Sequence, residues 1–394
     1  MNATVYLDHN ATTPVLPEAI GEMVAAMQKA WANPASTHAA GQAARRTLAD
    51  ARARVAGFLG CLGSELVFTS GATEANHQAV LGALAAQRAG GRRRLVLSAV
   101  EHPGLLALAR RLGDEGVPVD LIPVDAQGRI DLGAAQALMD PDVALLSVMG
   151  ANNETGVVMP IAELTELAHA KGAWMHVDAT QLAGKRPLDF AHSGVDLMSL
   201  SAHKLGGPKG VGALLVKKGC PLPPLLSGRQ ERHRRGGTEN LPGIVGFAAA
   251  CSHAATSLAH DLHHMLMLRQ QLERGLLQAL PDTHLHGRDA ERLPNTSSLR
   301  FGTLDADQVL GALERAGILA SSGAACSAGA TQPSHVLLAM GASTAQARAG
   351  VRFSSGPATT EADIARTVAT TVRVIGALLA VLPPDPQTGA ALAV

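Results

Sequence analysis

After residue 13 the chain alternates between two hydrophobic patterns. Apolar residues recur at helical spacing over 17–31, 38–59, 72–89, 103–115, 131–139 and 160–171, as they do where one face of a helix is buried. Between these segments lie short apolar runs at 66–68, 95–97, 143–148, 174–177, 197–200 and 212–216. Such runs predict strands covered on both faces, and their alternation with helices predicts an α/β fold with a mostly parallel sheet. Residues 241–280 read as one long helix or two leading out of this region. Beyond residue 280 the rhythm changes, and 297–301, 305–316, 317–320, 333–340, 350–353 and 360–382 predict a smaller α+β unit. The expected division is a large α/β domain over 14–255 and a small domain built from 1–13 and 256–382. A disordered tail is expected over 383–394, where prolines give way to small residues.

Ligands of open α/β sheets gather at the carboxyl ends of the strands, so the polar residues that follow each apolar run are the candidate site. Phe68 leads into Thr69-Ser70-Gly71-Ala72-Thr73, with a helix after it. A small-residue turn opening a helix offers free N–H groups and the positive end of the dipole to a phosphate; the plainer reading is a well-capped helix. Asp178 ends the 174–177 run. A carboxylate there is costly unless paired, so it is either a helix cap or the counter-ion of a buried cation such as a protonated pyridine nitrogen. Lys204 follows the 197–200 run in Ser201-Ala202-His203-Lys204, ahead of the Gly-rich 206–210 turn. A desolvated lysine at that position can form a Schiff base, and Ser201 and His203 can hold a phosphate beside it. Glu101-His102-Pro103 ends another run, and His102 is either a cap or a planar group to lie on a flat cofactor. Together a phosphate turn, a carboxylate, a lysine and a planar lid describe pyridoxal phosphate. A nucleotide is the competing ligand, but the GxGxxG and GxxxxGK[ST] fingerprints are absent.

Composition narrows the classes. The chain has 394 residues, enough for two domains and a large core. Lys+Arg and Asp+Glu both number 33, so no net field recruits nucleic acid or an anionic membrane. With two Trp, one Tyr and six Phe, no base-stacking platform is expected. The N-terminus lacks the basic and apolar regions of a signal peptide, and no apolar run reaches the ~18 residues of a membrane span. A cytoplasmic protein without nucleic-acid or membrane partners is expected.

The four cysteines, Cys61, Cys220, Cys251 and Cys326, form no CxxC pair and no disulfide framework. The first three read as small buried hydrophobes, Cys251 on a helix. Cys326 differs. Its run, Ser321-Ser322-Gly323-Ala324-Ala325-Cys326-Ser327-Ala328-Gly329, is made of small residues, which leave a thiol the access and mobility that reactivity requires. Of the 16 histidines, His263-His264 and His284-x-His286 come nearest to a metal cluster. Neither has partners at ligand spacing, and solvated or capping histidines, with no metal, are the better reading.

Taken together these segments resemble the cysteine desulfurases of the NifS/IscS type, in fold-type I, class V of the aminotransferases. The matching stretches run nearly end to end: 6–13, 33–38, 68–75, 101–103, Ala151-Asn152-Asn153-Glu154-Thr155-Gly156, 176–181, 201–210, Arg234-Arg235-Gly236-Gly237-Thr238-Glu239-Asn240, 321–329 and 351–354. The Arg-Arg-Gly-Gly-Thr-Glu-Asn and Ser-Ser-Gly-Ala-Ala-Cys forms look closest to the nitrogenase-associated NifS branch. His9 stands where many relatives have Asn, and Ala202 where Gly or Cys is common; neither change removes a functional group.

The resemblance implies a seven-stranded sheet, a homodimer and a set of roles. Lys204 would carry pyridoxal phosphate, Asp178 pair with its ring nitrogen, Gln181 bond its ring hydroxyl, and His102 stack on the ring and shuttle protons. Ala72, Thr73, Ser201 and His203 would hold the phosphate, with Thr238 of the partner subunit completing the clamp. Asn153 and Arg352 would orient L-cysteine, Arg352 by forking onto its carboxylate. Cys326 would be the nucleophile, taking the sulfur as a persulfide, releasing L-alanine and passing the sulfur to an acceptor or iron–sulfur scaffold protein. Nitrogenase cluster assembly, housekeeping assembly and tRNA thiolation all remain open as destinations. Two other readings also stand: a selenocysteine lyase or other class V enzyme on the same fold, and a non-catalytic assembly scaffold.

Overall fold

The computed structural model describes residues 4–323 and 332–380. All six apolar runs become strands of one seven-stranded sheet. Its spatial order is Leu66–Thr69, Gly212–Val216, Leu197–Ser201, Trp174–Asp178, Val143–Met149, Arg94–Ser98, Val119–Ile122. Gly212–Val216 runs antiparallel to both neighbours, and every other adjacent pair is parallel. Alternate residues of each strand enter different cores. Leu66, Phe68, Val96, Leu146, Met175, Met198 and Leu215 belong to one, while Val67, Leu95, Leu97, Leu145, Leu197 and Leu214 belong to the other. Burial on both faces is why these strands read as continuous apolar runs rather than alternating ones.

The predicted helices form within a residue or two of expectation: Pro17–Lys29, Ala39–Leu59, Ala72–Gln87, Pro103–Asp114, Leu132–Leu138 and Ile161–Ala170. His38, His102 and Asp131 cap three of them through their side chains. Ala39–Leu59 ends at Gly60, whose φ of 63° is the left-handed cap conformation glycine adopts without strain. In the large sheet the missed element is the edge strand Val119–Ile122. It carries Asp120 and leaves Leu121 49 % exposed, so it lacks the two-sided apolar signature of its neighbours.

Residues 241–280 form one continuous helix, Leu241–Ala279. Its first part (Leu241, Ile244, Phe247, Cys251) is buried in the sheet's core, and its later part (Leu268, Leu272, Leu276) in a separate core. Among the described residues it is the one helix long and apolar enough to span a bilayer, but 61 % of that window is buried inside the fold. The second core also holds a four-stranded antiparallel sheet in the order Ser321–Ser322, Val351–Ser354, Thr296–Phe301, Thr283–Leu285. Val5–Tyr6 pairs in parallel with Ile318–Leu319, and Val5 and Leu7 are buried in the same core. From there residues 8–13 cross to the end of the large sheet, where Thr13 Oγ1 donates to the His203 carbonyl at 3.0 Å. The expected tail over 383–394 lies outside the described residues.

Phe247 is fully buried where the long helix meets the sheet core. Phe247→Ala should therefore lower unfolding stability by about 3–5 kcal/mol, measured by urea denaturation. A loss under about 1 kcal/mol would mean that the site collapses around the smaller side chain.

Candidate active site

A cavity of about 450 Å³ opens at the carboxyl ends of the parallel strands, where an α/β sheet binds its ligands and in the size range of small-molecule sites. Of the residues singled out from the sequence, Ala72, Thr73, His102, Asn153, Asp178, Gln181, Ser201, His203 and Lys204 all line it. Thr238 and Arg352, both described residues, lie outside its lining. Cys326 lies outside the described residues.

One end of the cavity is a helix start. Ala72–Gln87 begins at Gly71, which has no side chain to cap it, so the N–H groups of the first turn are available to an anion. Ser201 Oγ lies close by, 3.8 Å from where a Cβ on Gly71 would sit. The turn is held tight by Gly212, whose Cβ would fall 2.7 Å from Gly71 Cα and 2.5 Å from the Leu200 carbonyl oxygen. His203 completes this end, its Nδ1 3.1 Å from Thr12 Oγ1. Burial, followed by Lys204, Lys209 and Lys185, pushes its imidazole down to about 4.

The other end is acidic. Asp178 closes the Trp174–Asp178 strand and is buried. Its Oδ2 accepts from Asn76 Nδ2 at 2.7 Å and its Oδ1 from the Thr180 N–H at 3.0 Å. Those two bonds fix the carboxylate while leaving lone pairs towards the cavity. His102 is both things the sequence allowed: it caps Pro103–Asp114 and lines the cavity. Its Nδ1 accepts the Gly104 N–H at 3.1 Å, so the proton of the neutral ring sits on Nε2. Burial holds its pKa below the usual histidine value.

Lys204 stands on the single turn Ala202–Lys204 directly after a strand. Its Nζ donates to the carbonyls of Asn10 at 2.5 Å and Ala11 at 2.9 Å. Gln181 Nε2 donates to the same Asn10 carbonyl at 3.0 Å. Asn10 Nδ2 in turn donates to the Asn153 carbonyl at 3.2 Å and to Thr296 Oγ1 at 2.8 Å. Arg352 is 2 % exposed. It pairs with Asp8 at 2.6 Å and donates to the Asn153 carbonyl at 3.0 Å, while among the described residues its Nε has no acceptor. Thr238 is exposed. It follows Glu231, Arg232 and His233, three successive non-glycine residues with positive φ. Such backbone persists only where its surroundings over-determine it, and here Glu231 is anchored to Arg52 at 2.5 Å and to the Phe68 N–H at 3.0 Å.

Sequence reading missed Asn10, Asn76, Glu101 and Lys185. Asn76 carried a usable signal: a buried amide among Ala75, Ala79, Val80 and Ala83 must find a partner. Glu101, beneath His102, is fully buried. Its Oε1 accepts from Ser98 Oγ at 2.5 Å and from the Met149 N–H at 2.8 Å, while Oε2 has no partner among the described residues. Burial, with a smaller push from Asp178, raises it to about 8, so it is neutral near pH 7 and adds no second charge beside Asp178. Of the remaining thiols, Cys251 is buried, and burial pushes Cys61 up to about 12 and Cys220 to about 11; such thiols are unreactive at neutral pH. One histidine expectation needs correction. His286 is neither solvated nor a cap but buried, with Nδ1 3.1 Å from Ser298 Oγ.

The chain matches the family described as aminotransferase class-V over residues 5–367. A cysteine desulfurase of Cereibacter sphaeroides is 46 % identical over 383 residues, covering 96 % of this chain and 95 % of the relative. Cysteine desulfurase NifS of Azotobacter vinelandii is 41 % identical, covering 97 % of this chain and 95 % of the relative. A solved structure titled NifS-like protein superposes with a TM-score of 0.88 at 34 % identity, covering 95 % of this chain and 99 % of that one.

The Glu101 shift fixes the sign of a pH effect. A carboxyl raised on folding adds stability below its unfolded value and loses it as pH rises through about 8. Wild type minus Glu101→Gln should therefore fall with rising pH between about pH 5 and about pH 8, by up to ~1.4 kcal/mol per unit. Urea titrations of both proteins across that range check it; parallel curves would mean that Glu101 is ionised in the fold.

Proposed function

The chain belongs to the class-V aminotransferase family and is an enzyme of its cysteine desulfurase kind, and on that footing we propose that it binds pyridoxal phosphate and moves sulfur from L-cysteine to Cys326. The observation that carries the reading is the donor set of one cavity: a helix start, a fixed carboxylate and a strand-end lysine. That set fits the group end to end. The Ala72 and Thr73 N–H groups and the hydroxyls of Thr73 and Ser201 would bind the phosphate, with His203 beside them and Thr238 of the partner subunit closing the clamp in a homodimer. Asp178 would keep the pyridine nitrogen protonated, Gln181 would hold the ring oxygen, and His102 would cover the ring. Lys204 would anchor the group covalently.

When bound, pyridoxal phosphate supplies an electron sink for the substrate's α-carbon. The protein supplies the rest. Lys204 Nζ would take the proton from Cα and return it later; the carbonyls of Asn10 and Ala11 stand ready to hold it as an ammonium. Asn153 and Arg352 orient the substrate, and Arg352 can fork onto the carboxylate once it exchanges Asp8 for it. Cys326, as thiolate, attacks the substrate sulfur: an S–S bond forms, the carbon–sulfur bond breaks, and the carbon that keeps the electron pair is protonated. Cysteine and the Cys326 thiol thus become L-alanine and a Cys326 persulfide, with no outside oxidant. The persulfide then passes to an acceptor, for which an iron–sulfur scaffold protein, including one serving nitrogenase, is the class we favour, in the cytoplasm.

Cys326→Ser should retain the cofactor's visible absorbance and lose alanine formation by about 10³-fold or more. Lys204→Ala should lose the lysine-linked absorbance itself. Turnover at wild-type rates in the first variant removes Cys326 from the mechanism, and an unchanged spectrum in the second removes Lys204.

A further inference from the structure

Lys185 is buried, 4 % exposed, and among the described residues no carboxylate lies within ion-pair distance of it. Among the described residues its Nζ makes one hydrogen bond, donating to Gln181 Oε1 at 2.9 Å. The charged groups that act on it are Lys204 and Arg352, both cations, and burial together with them pushes its amine down to about 7. A buried amine with one neutral partner and no counter-ion works against stability. What it does provide is a hydrogen-bond donor at one fixed point.

That point decides which way the Gln181 amide faces. Gln181 is buried and lines the cavity. Its Oε1 is taken by Lys185, and its Nε2 donates to the Asn10 carbonyl at 3.0 Å. An amide nitrogen carries two hydrogens, and the second is left over. The flipped amide would set Nε2 against the Lys185 donor and Oε1 against the Asn10 carbonyl, losing both bonds. The protonated amine has no lone pair and can only donate; when the amine is neutral it can still donate in this orientation, and the Asn10 carbonyl, an acceptor only, still disfavours the flipped one.

We propose that Lys185 is a positioning residue: by bonding Oε1 it makes Gln181 present an N–H, and not a carbonyl, to an oxygen anion in the cavity. Resting on the function proposed above, that anion is the ring oxygen of pyridoxal phosphate.

Apoprotein and pyridoxal phosphate test this by equilibrium titration and by the spectrum of the complex. Lys185→Met should bind about tenfold more weakly, and the visible band of its complex should move to shorter wavelength as the ionised ring oxygen loses its donor. Gln181→Met should show the same loss, and the double variant K185M/Q181M should bind no more weakly than Gln181→Met. Gln181→Glu still accepts from Lys185 but has no donor to offer, so it should reproduce the loss, and it serves as the test if Lys185→Met fails to fold. Wild-type affinity with an unshifted band in Lys185→Met, or additive losses in the double variant, overturns the proposal. A wild-type apoprotein that does not bind pyridoxal phosphate overturns the function itself, a result distinct from one in which wild type binds and the variant merely matches it.

Discussion

The carbonyl of Asn10 is the point on which the site depends. It accepts from Lys204 Nζ and from Gln181 Nε2, while the same residue's side chain reaches Asn153, Thr296 and Asn295 and its own N–H donates to Ser354 Oγ at 2.9 Å. Buried carbonyls require donors, and here the donors are the residues that would do the chemistry. The segment around Asn10 is anchored in the second core by Val5 and Leu7. Lysine, glutamine and asparagine from three separate loops are therefore indexed to one strap rather than to one another. Any shift between the two cores moves the common acceptor, and the site with it.

Charge in and behind the cavity is arranged by subtraction. Lys185, Lys204 and Arg352 lie close enough to act on one another, Asp8 pairs with Arg352, and Asp178 lines the cavity. The other groups that could blur this pattern are held neutral by burial: Glu101, raised to about 8, and His176 and His203, lowered to about 4. His176 sits directly beneath Asp178 on the same strand, its ring spanning Ser147 and Ser199 at 2.8 and 2.9 Å. A neutral ring there satisfies two buried hydroxyls without drawing on the Asp178 carboxylate. Asp178 is thereby left to face the cavity, where a cationic ring nitrogen would be its partner.

How much of this the sequence carried depended on what each residue had to advertise. Strands buried on both faces announce themselves as apolar runs, and six of seven were legible; Val119–Ile122, open on one face, was not. Lys204 and Asp178 stood out because a charge at the end of an apolar strand is anomalous. Asn10 gave no such signal, since its decisive atom is a backbone carbonyl, which every residue has. Lys185 was hidden for the opposite reason: in Gly184-Lys185-Arg186 it reads as one of two adjacent surface cations, and only the fold separates the buried one from the half-exposed one. Arg352 was named through resemblance, but its pairing with Asp8 depends on a contact between residues 344 apart.

That pairing links the strap to the substrate. Arg352 Nη2 holds Asp8 at 2.6 Å, and Asp8 sits two residues before Asn10. On the proposed reading the substrate carboxylate must compete with a carboxylate already in place. The exchange conserves charge at the guanidinium, so it avoids the cost of a buried unpaired cation in either state. It also frees Asp8, at 21 % side-chain exposure the wetter member of the pair, to turn towards solvent at little cost. The arginine proposed to read the substrate and the lysine proposed to act on it are thus tied to the two ends of one short stretch of backbone: Arg352 to Asp8, and Lys204 to the carbonyls of Asn10 and Ala11.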